Sequence, residues 1–293
     1  MRTAKTLFLV LLIQLISTTC AMATTDTPRK VLVTGAGGKT GHLVMQQLLS
    51  RPAFAPTGVV RTVSSKENLV RELGIPDSQI VVADICDASS IQQACRGMDA
   101  LIICTSATVA PTGEMTTDGK PKFGFPNGQP EQVDWIGQKN QIDAAKQAGM
   151  SHVVICSSMG GTDPENRLNT FGRDENGKGG NILLWKRKAE KYLIDSGITY
   201  TVVHPGGLID EEGGKREIVV GVDDQQVKTD NRSIPRADVA ALLIASLEHD
   251  SYKNRSFDAR TMPVGEGTIT TDFGKLLVDM KENCDYSLGK VAE

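Results

Sequence analysis

The sequence predicts an α/β fold, a doubly wound parallel sheet with a small C-terminal substrate-side lobe. Two observations carry this. Between residues 30 and 204, six short apolar runs alternate with stretches of helical periodicity. A loop with glycines at every third position joins the first run to the first helix. Runs of four to six apolar residues, without alternation, suit strands buried on both faces. Right-handed crossovers between parallel strands then place helices on both sides of the sheet.

The elements follow in order. Strands are expected at Lys30–Thr34, Thr57–Arg61, Gln79–Ala83, Asp99–Cys104, His152–Ser157 and Thr199–His204. The helices between them fall near Thr40–Leu49, Lys66–Leu73, Ala88–Arg96, Glu131–Ala148 and Asn181–Ser196. Two stretches rich in glycine and proline, 108–130 and 160–180, interrupt the alternation after the fourth and fifth strands. Long loops at the carboxyl edge of such a sheet suit lids or binding loops. Beyond residue 205 the pattern is mixed: strands near 216–220 and 226–230, a helix near Pro235–Leu247, a strand near Ser256–Ala259 and a helix near Thr271–Lys281. The whole is one domain over 24–293, with a dinucleotide core at about 30–205 and the lobe at about 206–293.

Composition excludes several classes. The 293 residues are 40% hydrophobic and 23% charged, enough apolar matter for a core. A formal charge of -3 and no long basic run speak against nucleic-acid binding. Residues 1–23 resemble a targeting signal: Arg2 and Lys5, then an apolar run from Leu7 to Ile16, then Ala21-Met22-Ala23. The run is short for a bilayer span, so no stable membrane segment is expected after its removal. Five cysteines remain, an odd number, with Cys104 and Cys156 at the ends of core strands. That favours a reducing compartment such as a plastid. Secretion is the alternative, because Asn231-Arg232-Ser233 and Asn254-Arg255-Ser256 are glycosylation sequons.

The strongest motif is Thr34-Gly35-Ala36-Gly37-Gly38-Lys39-Thr40-Gly41. Gly35 permits a tight turn, Gly38 a close approach of backbone to a pyrophosphate, and Gly41 tight packing of helix on strand. The pyrophosphate would sit on free N–H groups at the helix start, near Lys39 and Thr40. The second strand ends in Arg61, where a site specific for NAD carries a carboxylate. A guanidinium clamps a 2′-phosphate, so NADP is expected over NAD. Asp84 and Ile85 fall where the adenine would lie, and Thr105 and Ser106 beneath the dinucleotide. The four histidines lie on separate elements and no Cys/His spacing suits zinc, so no metal is expected.

Together these residues resemble the atypical short-chain dehydrogenase/reductases, in particular their NmrA-like NAD(P)-binding branch. The resemblance rests on residues 34–41, Arg61, 83–87 (ADICD), 131–149, 157–161 (SSMGG), 183–193 (LLWKRKAEKYL) and 204–210 (HPGGLID). It implies a Rossmann fold of strand order 3-2-1-4-5-6-7. It also implies that Pro205 and Gly206 lie near the nicotinamide amide, and that paired long helices can form a homodimer. The main family transfers hydride with a Tyr-x-x-x-Lys pair and a serine. Ser158 matches the serine and Lys186 the lysine, but Ile182 stands where the tyrosine belongs. An aliphatic side chain is no general acid. Two functions of different class follow: an NADP-dependent oxidoreductase of a small substrate that needs no tyrosine proton, or a non-catalytic NADP-binding sensor or scaffold. If the chain is an enzyme without that tyrosine, Ser158, Asp134, His204 or water would supply any proton.

Overall fold

The computed structural model describes residues 27–115, 118–174 and 176–292. The signal-like segment 1–23 lies outside the described residues. The strands are β1 (Arg29–Thr34), β2 (Phe54–Val60), β3 (Ile80–Val82), β4 (Ala100–Ile103), β5 (Ala110–Met115), β6 (Pro121–Gly124), β7 (His152–Cys156), β8 (Tyr200–Pro205), β9 (Gly207–Ile209), β10 (Ile218–Gly221), β11 (Ser233–Pro235) and β12 (Arg255–Thr261). The helices are α1 (Lys39–Leu49), α2 (Val63–Leu73), α3 (Ala88–Cys95), α4 (Gln138–Gln147), α5 (Ile182–Asp195) and α6 (Arg236–Glu248).

Eight strands form the main sheet in the order β3-β2-β1-β4-β7-β8-β12-β10. All neighbours are parallel except β10, which runs antiparallel to β12 at the edge. The first seven follow the order expected from the family resemblance. Successive residues of one strand serve opposite faces, as the period of two requires. Val31 and Val33 of β1 join the core layer under α1, α2 and α6, while Leu32 joins the layer under α3, α4 and α5. That is why the strands are apolar throughout.

Local chemistry sets the boundaries. Thr62 caps α2 by accepting from the Ser65 N–H, and Gly74 ends it in the left-handed region. Asp87 caps α3, accepting from the Ser89 and Ser90 N–H groups. The helix α6 is largely apolar because it packs against both α1 beside it and β7 and β8 beneath it, with Leu242, Leu243 and Ile244 fully buried.

Four expected elements differ. Residues 108–130 are not irregular throughout, since β5 and β6 form an antiparallel hairpin there. Residues 226–230 are not a strand but follow a 3-10 turn, Gln225–Lys228, entered through Asp223 and Asp224 at positive φ. The Asp224 carboxylate binds the Gly160 and Thr162 N–H groups, which holds that turn away from any ladder. Residues 271–281 make only a short 3-10 turn, Phe273–Lys275. Side chains from afar bind carbonyls of this segment and just beyond it: Tyr252 donates to Phe273, and Arg255 to Met280 and Glu282. The helix expected from 131 opens with a π turn, Glu131–Gly137, before α4.

Candidate active site

The carboxyl edge of the sheet holds a cleft of about 1350 Å³. Single small-molecule sites occupy about 300–1,000 Å³, so the space suits a dinucleotide with a second ligand beside it. Its first wall is the loop between β1 and α1. Gly35 adopts φ +69°, and a Cβ there would lie 2.8 Å from the Cys104 backbone. A Cβ on Gly41 would lie 2.2 Å from the Gly35 carbonyl oxygen. Both positions therefore require glycine for shape alone. The helix α1 starts at Gly38 with no side-chain cap and no acidic residue in its first turn. Its open N–H groups and dipole favour an anion.

Thirteen of the sequence-selected residues line this one cleft: Gly35, Gly38, Lys39 and Thr40 at the loop; Arg61, Asp84 and Ile85 along one side; Thr105 and Ser106 on the floor; and Ser158, Lys186, Pro205 and Gly206 at the inner end. Gly41 is buried behind the loop. At the outer end, Arg61 donates one of its five N–H groups to the Asn127 carbonyl, at 2.8 Å. The Thr62 hydroxyl lies within hydrogen-bond distance of those of Ser64 and Ser65. Asp84 is exposed and accepts from the Cys86 N–H. Ile85 packs where Gly137 leaves room, since a Cβ on Gly137 would lie 2.6 Å from Ile85 Cδ1. Gln141 donates to the Thr105 hydroxyl, which fixes the floor against α4. Gly206 also needs its missing side chain, because a Cβ would overlap the Arg232 carbonyl oxygen.

The inner end is built from buried charges. Ile182, Lys186 and Glu190 recur every four residues on the buried face of α5. Ile182 lines the cleft, so the position of the family's tyrosine is aliphatic in space as well as in sequence. Lys186 Nζ lies 2.8 Å from Asp134 Oδ1, and Asp134 also accepts from the Ala107 N–H. Lys186 is not part of a solvated basic face: it and Arg187 are buried, and Lys188 lies over the rings of Trp135 and Trp185. The Ser158 hydroxyl donates to the Met159 carbonyl.

Behind Ser158 runs a polar chain. Ser157 donates to Glu190, and Glu190 Oε2 lies 3.1 Å from His204 Nε2. Burial works against both charges, yet the pair forms: beside Glu190, His204 titrates well above the usual imidazole range. Glu190 is correspondingly held below the usual carboxylate range. Burial pushes the Cys156 thiol up to about 11, and it raises Cys104 as well, so neither is a thiolate at neutral pH. Outside the glycine loop, Lys39 and Arg236 both pair with Asp210.

Sequence reasoning did not select Glu190, Asp210, Asp258 or Cys284. A signal existed for Glu190, a charge on the apolar stripe of α5. The others meet their partners only through long-range folding. Both sequon asparagines hold internal hydrogen bonds: Asn231 donates to the Thr261 carbonyl and Asn254 accepts from the Tyr200 N–H.

Residues 35–250 match the NAD(P)H-binding family. A chloroplastic protein of Arabidopsis thaliana is 46% identical over 269 residues, covering 90% of this chain and 79% of that one. The sanguinarine reductase of Eschscholzia californica is 44% identical over 276 residues, covering 87% of this chain and 97% of that one. Among solved structures, an anaerobillin reductase from Escherichia coli O157:H7 superposes with a TM-score of 0.57 at 23% identity, covering 81% of this chain and all of that one. A Bacillus halodurans protein of the NAD-dependent epimerase/dehydratase type superposes at 0.64 and 23% identity, over 85% and 98% of the two chains. At that identity the two structures speak for the fold alone.

Proposed function

This chain belongs to the NAD(P)H-binding family, as an atypical short-chain dehydrogenase/reductase, and from that premise we propose that it is an NADPH-dependent reductase of a conjugated small molecule. One observation carries the reading. The cleft continues past the glycine loop to Ser158, Ile182 and Lys186 with room for a second ligand. A sensor that only binds a dinucleotide has no need of that space. The kinship to a sanguinarine reductase supports reduction as the reaction class.

Bound NADPH supplies hydride. The chain's own residues do the rest. The turn at Gly35 and Gly38 and the open start of α1 hold the pyrophosphate, with Lys39 and Thr40 beside it. Arg61 holds the 2′-phosphate, and no carboxylate at the end of β2 repels it. Asp84 and Ile85 border the adenine, and Thr105 and Ser106 leave space beneath the dinucleotide. Pro205 and Gly206 present backbone to the nicotinamide amide. Lys186, fixed by Asp134, orients the nicotinamide ribose, and Ser158, its hydroxyl turned from the Met159 carbonyl, polarises the acceptor. Ile182 gives no proton, so the substrate takes hydride at an atom conjugated to a system that delocalises the displaced electron pair, and water protonates that system later. Conjugated acceptors such as flavins or tetrapyrroles have this property, and simple ketones do not.

Stopped-flow oxidation of bound NADPH against flavins, quinones and simple carbonyls tests the reading. Conjugated acceptors are expected to react well above the buffer rate. Tight NADPH binding with no acceptor above that rate would overturn it in favour of a sensor. For the cofactor, Arg61→Ala is expected to weaken NADPH about tenfold or more while leaving NADH nearly unchanged. Equal losses for both would remove Arg61 from the 2′-phosphate. We place the mature protein in a plastid: the five described cysteines are free thiols, and relatives of this chain are chloroplastic. A fluorescent fusion confined to the ER lumen or medium would contradict that address.

A further inference from the structure

Three side chains from distant parts of the sequence converge under the inner end of the sheet. His204 is next to last in β8, Asp258 lies opposite it in register on β12, and Cys284 comes from the C-terminal tail. All three are buried. Cys284 Sγ lies 3.5 Å from His204 Nδ1, His204 Nδ1 lies 3.5 Å from Asp258 Oδ1, and Sγ lies 3.9 Å from Oδ1. Ligands on one face of a tetrahedral zinc ion stand roughly 3.3–3.6 Å apart, given bonds of about 2.0 Å to nitrogen and oxygen and about 2.3 Å to sulfur. The three atoms thus form such a face with a slight expansion.

We propose that His204, Asp258 and Cys284 bind one divalent transition-metal ion, zinc by preference, which ties the C-terminal tail to the sheet. The surroundings are those of a built site. His204 has its other ring nitrogen on the Glu190 carboxylate, so Nε2 keeps its proton there and Nδ1 is the nitrogen that faces Asp258 and Cys284. Glu190 is in turn fixed by Ser157. The second oxygen of Asp258 accepts from the Asp224 N–H, so its first oxygen is aimed at the trio. Cys284 is held by hydrogen bonds from its own N–H to Ser256. A cavity of about 10 Å³ borders the three ligands. That is close to the smallest space that holds a water, the natural fourth ligand. A mixed N, O and S donor set suits zinc or cobalt better than magnesium or calcium. Binding releases the thiol proton of Cys284 and any proton on Nδ1, and leaves Nε2–H on Glu190. Positions 204, 258 and 284 follow no zinc spacing, so only the fold brings them together.

The site stands independently of the proposed reduction. The full chain, reduced and freed of metal, is titrated with Co²⁺ alone and then with Zn²⁺ alone. The expected result is about one cobalt per chain with a thiolate-to-cobalt charge-transfer band and tetrahedral visible absorption, both abolished by zinc. Cys284→Ser and Asp258→Asn should lose the tetrahedral spectrum, and Cys86→Ser, at an exposed thiol, should keep it. At a hundredfold excess over Kd, zinc is expected to raise the Tm of the parent chain by roughly 5–10 °C and that of Cys284→Ser far less. Absence of the cobalt band in the folded parent chain, its persistence in Cys284→Ser, or its loss in Cys86→Ser would each overturn the assignment.

Discussion

The two ends of the cleft are made in different ways. The outer end is a backbone device: glycines at 35 and 41, an uncapped helix start, and exposed polar side chains around Arg61. The inner end is a set of buried charges, Lys186 with Asp134 and Glu190 with His204, held under β7 and β8. A backbone device costs little to keep open to water, because its groups stay solvated until a ligand arrives. Buried charges are stable only while every partner is present. The difference shows where the molecule tolerates change. The outer end fails by shape and the inner end by electrostatics.

The largest test of that contrast is Lys186→Met. It leaves Asp134 buried with only the Ala107 N–H as partner. Loss of one member of a buried pair costs about 3–5 kcal/mol, readable by urea unfolding. Adding Asp134→Asn to Lys186→Met should recover much of it. If the single variant is as stable as the parent chain, the inner end is not an electrostatic construction.

Gly41→Ala comes next. The new Cβ collides with the Gly35 carbonyl, a backbone atom that cannot rotate away. A cost of roughly 1–3 kcal/mol in stability is expected. Displacement of the loop should also weaken NADPH by tenfold or more in a fluorescence titration. Unchanged affinity would mean that the loop shape is not what binds.

A further test is in pH. His152, at the start of β7, is lowered to about 4, chiefly by burial and then by Arg29 and Lys253. In the unfolded chain a histidine titrates near 6.5, so the unfolded chain takes the proton first. The contribution of neutral His152 is therefore full above about 6.5 and is lost as pH falls towards 4. Tm should decline across that window, and His152→Gln should decline less. An equal decline in both chains would move the effect to other groups.

Much of the fold was legible because its elements are specified locally. Six apolar strands with intervening helices appear near their expected places, right-handed crossovers put helices on both faces, and the strand order is the one the family resemblance implied. The errors lie where side chains from afar claim the backbone. Tyr252 takes the Phe273 carbonyl that a helix over 271–281 would have used, and Arg255 ties down the Met280 carbonyl at its end. Asp224 is committed to the loop after β7, so its own segment turns instead of extending. The outer end of the cleft was legible for the same local reason, since the glycine spacing, the helix start and Arg61 are consecutive in sequence or one crossover apart.

The sequence by itself determined the sheet, the glycine turn, the absence of a tyrosine at Ile182 and the residues that share one cleft. Those features depend on periodicity, on backbone freedom at single glycines and on side-chain chemistry at one position. Tertiary structure alone decided that Lys186 is buried against Asp134 and not solvated beside Arg187 and Lys188. It alone brought His204, Asp258 and Cys284 within 3.9 Å of one another. The physical reason is that burial and pairing of charge depend on what the rest of the chain places around a residue, and no local pattern encodes those neighbours.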